Sequence, residues 1–223
     1  MSNLRIPPKM ASVATPTSDD KLFSPSAARN TKAIVALMKQ KAPATGTALE
    51  LASGTGQHIV ELARACPNLR WQPSEFDKAR HPSITAYVAQ AELTNVAPVV
   101  ALDATTSSWG RQHHGQDLIF LANLLHLISH TEAETLVHEA AQALAPGGML
   151  IIYGPFMRDN KLISDSDAAF HASLQAQDAT IGYKCRSDVI VWGTDALLEV
   201  SDIVDMPANN LALCWRKPGS APN

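Results

Sequence analysis

Between residues 47 and 153 the chain alternates five times between a short apolar run and a stretch of different, largely helical character. That alternation predicts repeated βαβ units, and so a parallel sheet with helices on both faces. The apolar runs are 47–52, 69–73, 99–102, 118–121 and 149–153. In Leu118-Ile119-Phe120-Leu121 every position is apolar, as a strand covered on both faces requires. Ile59, Val60, Leu62 and Ala63 mark a helix that ends before Pro67. Further helices are predicted over about 82–93 and 131–144, the second closed by Pro146-Gly147-Gly148.

The flanks complete the plan. Ser24-Pro25-Ser26 suits the cap and first turn of a helix over 24–41, whose apolar stripe is Ala33, Ile34, Leu37 and Met38. Residues 1–23 carry Pro7, Pro8 and Pro16 without periodicity and read as a flexible arm; 218–223 read as a tail. After Pro155 the pattern changes to a helix over 167–177, a less regular stretch to Gly193, and two strands at 198–204 and 211–215. Met206-Pro207-Ala208-Asn209-Asn210 joins these two strands and is too short for a parallel crossover, so they must be antiparallel. The fold class is therefore α/β: a doubly wound, Rossmann-like, seven-stranded sheet, mostly parallel with an antiparallel last strand. One domain is expected over 24–217, divided into a ligand-binding half at 24–155 and a second segment at 156–217.

Composition narrows the function. Lys and Arg number 18 against 21 Asp and Glu, a net charge of -3. Phosphate neutralisation needs clustered basic residues, so a sequence-independent nucleic-acid binder is not expected. The three cysteines, Cys66, Cys185 and Cys214, are far apart in sequence, which suits unpaired thiols in a reducing compartment and leaves no metal motif. Residues 1–20 have no apolar core like that of a signal peptide. The apolar stretch 118–128 contains Asn123 and His126 and falls well short of the ~20 residues a membrane helix needs. A soluble, cytoplasmic protein with no membrane partner is the expectation.

The chemistry concentrates at strand ends. Glycines in Ser53-Gly54-Thr55-Gly56 let backbone approach a ligand and aim helix N–H groups at it. A dinucleotide fingerprint needs a third glycine where this chain has Ile59, and no lysine follows to make a P-loop. Glu50-Leu51-Ala52-Ser53-Gly54-Thr55-Gly56 instead resembles the E/DxGxGxG motif of class I S-adenosylmethionine-dependent methyltransferases, with Ala52 in place of the first glycine. Glu75 lies 75 − 54 = 21 residues beyond the first glycine, at a strand end where an acid can hold a ribose diol; Asp77 is the alternative. Asp103, followed by Ala104, ends the third run and is placed to accept from an adenine amino group, or else to cap a helix. Asn123 and His126 follow the fourth run. An imidazole that titrates near neutral pH suits His126 as a general base; a packed histidine is the alternative.

Further pieces extend the resemblance to one family. They are Ala28-Arg29-Asn30, the 50–58 run ending in Gln57-His58, Trp71-Gln72-Pro73-Ser74-Glu75, Asn123-Leu124-Leu125-His126, Tyr153-Gly154-Pro155-Phe156 and Met206 to Leu211. They resemble a bacterial group of unknown function that includes the animal methyltransferase-like protein 26, over about 25–217. The resemblance implies the class I methyltransferase fold, S-adenosylmethionine as cofactor and methyl transfer. The cofactor residues are then Asn30, Glu50, Ala52, Ser53, Gly54, Gly56, Glu75, Asp103, Ala104 and Asn123. A small-molecule acceptor would meet Arg29, Tyr153, Phe156, Asn209 and Asn210, with Tyr153 and Phe156 forming an apolar wall. Asn209 and Asn210 also suit a turn for local reasons. The chain departs from the family at Ser166-Asp167, Phe170-His171 and Ile181-Gly182-Tyr183-Lys184-Cys185. Two other functions fit parts of the pattern: a noncatalytic sensor of the same cofactor, and a Rossmann oxidoreductase.

Overall fold

The computed structural model describes residues 14–17 and 19–219. Of the expected arm and tail, residues 1–13, 18 and 220–223 lie outside the described residues. The described end of the arm is a small antiparallel hairpin of β1 (Thr15–Pro16) and β2 (Leu22–Phe23). It leads directly into α1 (Pro25–Lys41), where the Ser24 side chain accepts from the Ala27 N–H as an N-cap.

The βαβ units follow as read from the periodicity: β3 (Gly46–Leu51), α2 (Gln57–Ala65), β4 (Leu69–Pro73) and α3 (His81–Gln90). A short α4 (Trp109–Gln112) precedes β5 (Gln116–Ala122), α5 (His130–Ala143) and β6 (Leu144–Met157). The chain closes with α6 (Asp165–Gln177), β7 (Lys184–Cys185), α7 (Arg186–Asp195), β8 (Glu199–Asp205) and β9 (Asn210–Arg216). The sheet order is β4-β3-β5-β6-β9-β8, with β7 beside the end of β6. Pairing is parallel from β4 to β6, and β9 runs antiparallel to both its neighbours.

Alternation along each strand divides the core in two. Ala48, Leu118, Phe120, Ile151 and Tyr153 pack with Ile34, Met38, Ile59 and Leu62, so α1 and α2 cover that face. Leu49, Leu51, Ile119, Leu121 and Ile152 pack with Trp109, Leu136, Val137 and Trp192, so α4, α5 and α7 cover the other. Trp71 and Trp215 are wholly buried. Phe120 and Leu49 are as fully buried, and each such apolar side chain contributes about 1.5–3 kcal/mol relative to exposure.

Two expectations need correction. The run at 99–102 is not a strand: it touches β4 only through isolated bridges, Trp71 with Val96 and Ser74 with Val100. Pro73 on β4 has no N–H to give the Ala97 carbonyl, and its own carbonyl is met instead by the Val100 N–H, one residue out of step, so the ladder breaks there. The seventh strand is instead β7. The stretch read as irregular up to Gly193 holds a full helix, α7. Its apolar residues Val189, Ile190, Val191 and Trp192 are consecutive and leave no helical stripe to recognise.

Candidate functional site

The carboxyl ends of β3, β4, β5 and β6 share one edge of the sheet, and the glycine turn leaves β3 at that edge. Ala52 has φ 53°, Gly54 60° and Gly56 92°. Gly56 is required sterically, because a Cβ there would come within 2.8 Å of the Ile84 Cα on α3. Gly54 differs. A Cβ on it would meet the Ala52 carbonyl oxygen and an Arg80 guanidinium nitrogen at 3.9 Å, ordinary contacts, so it is the positive φ and not crowding that favours glycine there. Ser53 and Ser74 lock the two strand ends together: the Ser53 N–H donates to the Ser74 carbonyl (2.8 Å), and the Ser74 N–H and hydroxyl both donate to the Glu50 carbonyl (2.9 and 2.8 Å).

Glu75 stands at this turn. Its Oε2 accepts from the Gly54 N–H at 2.8 Å, and its Oε1 from the Asp77 N–H at 3.0 Å. It is 8% exposed. Burial pushes its carboxyl up, against the pull of those two N–H groups. Asp77 does other work, accepting from the Ala79 N–H at the start of a short 3₁₀ turn and pairing with Arg80 at 3.6 Å. Of the two acids left open by the spacing, Glu75 is the one held against the glycine turn.

Glu50 is 2% exposed, and its Oε2 has no hydrogen-bond partner. Burial pushes its carboxyl up to about 7; the nearby Glu75 charge adds to this, and a bond from Ser53 opposes it. Asp103 is not a helix cap, since α4 begins only at Trp109. Its Oδ1 accepts from the N–H and hydroxyl of Thr105 (3.0 and 2.6 Å), a local turn. Ala104 is buried in the core, and its carbonyl accepts from the Trp109 indole. Asn123 leaves β5 with φ 58°, its N–H donating to the Tyr153 carbonyl at 2.9 Å.

The second group of residues assembles differently from expectation. Tyr153 and Phe156 belong to opposite faces of the sheet, three residues apart on one strand, so they form no common wall. Tyr153 is buried on the α1 and α2 face, its hydroxyl unpartnered and pushed up to about 12 by burial. On α1, Asn30 is half-buried one turn from Ala27 and Ile34, whereas Arg29 is exposed. Asn210 pairs with Pro155 near the end of β6, which puts the β8–β9 turn at the same edge as Gly54 and Asn123. Ala208 and Asn209 both have positive φ, as a tight hairpin turn demands, and Asn210 Nδ2 bonds the turn carbonyls of Pro207 and Ala208. The local-turn account thus covers Asn210. Asn209 reaches outward, donating to Asp167 Oδ2 at 3.0 Å.

His126 does not titrate near neutrality. It is 5% exposed, with Nδ1 buried and unpartnered. Burial, with the Lys184 charge as a smaller contribution, pushes the imidazole down to about 3. Phe170 and Tyr183 pack edge-on against it at 5.7 and 6.1 Å. The Tyr183 hydroxyl donates to Asp167 Oδ1 at 3.1 Å, and the Tyr183 N–H donates to His171 Nδ1 at 3.0 Å. So Asp167, Phe170, His171 and Tyr183, all within the two segments set apart in the sequence, form one cluster with His126 above the end of β5. Sequence reading flagged these positions without assigning them a site. It also missed His58, whose Nε2 is buried and unpartnered while the ring bonds the Ala27 backbone. Its place in the Gln57-His58 piece of the resemblance was the available signal. A groove of about 430 Å³ on the outer flank, bordered by Phe23, Gln57, Arg64 and Tyr87, includes none of the expected site residues.

The strand order and the antiparallel β9 define the class I methyltransferase fold. An O-methyltransferase family protein from Burkholderia thailandensis superposes with a TM-score of 0.72 at 18% identity, over 86% of this chain and 57% of that one. The mitomycin 7-O-methyltransferase MmcR does so with a TM-score of 0.73 at 14% identity, over 86% and 54%. CalO1, a methyltransferase in calicheamicin biosynthesis in its SAH-bound form, gives 0.67 at 16%, over 87% and 54%. The chain thus spans little more than half the length of these proteins. By sequence it belongs to the family described as "Protein of unknown function (DUF938)", matched over residues 21–217.

Proposed function

We propose that the chain is an S-adenosylmethionine-dependent methyltransferase acting on a small-molecule acceptor. One observation carries the reading: the glycine turn after β3 is flanked by two buried carboxylates, Glu75 held on the Gly54 N–H and Glu50 with an oxygen that has no partner. Those groups fit the cofactor's chemistry. Glu75, fixed by two backbone N–H bonds, keeps acceptor capacity for ribose hydroxyls. Glu50 offers an acceptor to the α-ammonium, and Gly54 leaves room for backbone approach. Ala52, Ser53, Gly56 and Asn123 stand at the same edge; Asn30 on α1 would add a polar contact, and Asp103 and Ala104 would meet the adenine end.

When bound, S-adenosylmethionine supplies an electrophilic methyl on a positively charged sulfur. The chain's own task is then alignment, which can lower a barrier by about 7–11 kcal/mol. His126, neutral at pH 7, orients the acceptor side rather than cycling a proton near neutrality. Tyr153, Asn209 and the Asp167 cluster shape that side. We take 24–217 as one domain with a cofactor half at 24–155, and include methyltransferase-like protein 26 among its relatives on the pieces at 28–30 and 206–211. Three free thiols favour a reducing, cytoplasmic setting.

The test is a turnover screen with S-adenosylmethionine over small thiols, amines, phenols and carboxylates, reading S-adenosylhomocysteine (SAH). Formation of SAH with one acceptor class supports the reading. Cofactor binding without turnover on any class leaves a sensor; absence of binding removes the cofactor assignment.

A further inference from the structure

Glu50 is the unusual group at this edge. It sits on β3 two residues before the turn, beside Phe120 and Pro73 in register. No ion pair to it exists among the described residues, and its Oε2 lacks any hydrogen bond. Among the described residues the one positive charge nearby, Arg80, acts on the neighbouring Glu75 and pairs with Asp77. On the β4 side stand Glu75 and Asp77, and Arg80 is engaged with Asp77. On α2 stands His58, which burial keeps neutral by pushing it down to about 4. On β6 stands Tyr153, a phenol held protonated. On α1, Asn30 is uncharged and Arg29 is exposed to solvent. A carboxylate so enclosed next to a second carboxylate is most stable with its proton on.

We propose that Glu50 gives up its proton when the ligand's α-ammonium docks against it, so that cofactor binding is coupled to release of one proton to solvent. This rests on the cofactor assignment above. The ammonium keeps its own three hydrogens and donates one to Oε2; the displaced carboxyl proton passes to buffer. The sign follows from linkage. The free protein holds the Glu50 proton up to about pH 7. Below that pH, binding must expel it, so affinity rises about tenfold per pH unit and levels off above neutrality.

Calorimetric titration with SAH in two buffers of different ionisation enthalpy counts the protons. The wild type should release close to one at pH 6 and progressively fewer towards pH 8. Glu50→Gln, neutral and of the same shape, should release none at pH 6 and lose the pH dependence of affinity. 5′-Methylthioadenosine, which lacks the amino-acid end, should bind the wild type without proton release. Binding of SAH at pH 6 with no release overturns the proposal. So does a release undiminished in Glu50→Gln, which would assign the proton to Glu75. Failure of SAH to bind at all removes the cofactor assignment itself, a distinct result.

Discussion

The two ends of the sheet edge are built by different means. At β3 and β4 the geometry is made by backbone: positive φ at Ala52, Gly54 and Gly56, and N–H groups of Gly54 and Asp77 clamping Glu75. Beyond β6 it is made by side chains from distant segments: Asn209 and Tyr183 on Asp167, and Phe170 and Tyr183 on His126. A backbone-built site needs particular small residues at fixed spacing. A side-chain network can change partners without moving the chain. The first kind of site is therefore tied to the local sequence at 50–58, and the second to how the 164–185 segment packs.

If the two regions are separable, substitutions in one should leave the other intact. The largest effect is expected from Glu75→Ala, which should weaken SAH binding by about 1.5–3 kcal/mol, the scale of lost charge-assisted hydrogen bonds. Calorimetry reads this directly, and an unchanged dissociation constant would take Glu75 out of the site. Asp167→Ala strips acceptors from Tyr183, Ser164 and Asn209. It should lower stability by about 1–3 kcal/mol in urea while SAH affinity stays within a factor of two. A parallel loss of affinity would break the comparison.

The pH dependence of stability should follow burial. His126 and His58 are held to about 3 and about 4, so the unfolded chain binds more protons than the folded one below pH 6.5. Stability is therefore lost as pH falls from 6.5, by up to about 1.4 kcal/mol per unit for each. Glu50 acts in reverse: its contribution weakens as pH rises from about 4.5 to 7. His126→Gln should flatten the loss between pH 6.5 and 5 by about 1–2 kcal/mol; urea titrations at several pH values with an unaltered slope would show that the ring is already solvated. The smallest effect belongs to Ala52→Gly. Left-handed backbone disfavours alanine, so glycine should stabilise by about 0.5–1 kcal/mol in net, visible as a raised midpoint in urea. A drop in stability would mean that the Ala52 methyl packs usefully at the turn.

Much of this molecule was legible before any coordinates. The alternation of β3, α2, β4, α3, β5, α5 and β6, the Ser24 cap, the antiparallel β8–β9 pair and the placement of Gly54 and Glu75 at one edge all follow from local rules: periodicity, backbone sterics and loop length. Those rules act within a few residues, so a single chain reveals them. Tertiary contacts decided the rest. An apparent strand was reduced to bridges because Pro73, on the strand it lies against, has no N–H for the Ala97 carbonyl. Tyr153 and Phe156 parted because strand alternation, set by how β6 enters the sheet, sent them to opposite faces. His126 lost its near-neutral titration, and Glu50 gained one, through burial by segments far away in sequence. Desolvation sums over everything packed around a group, and that sum is not written at any one position of the chain.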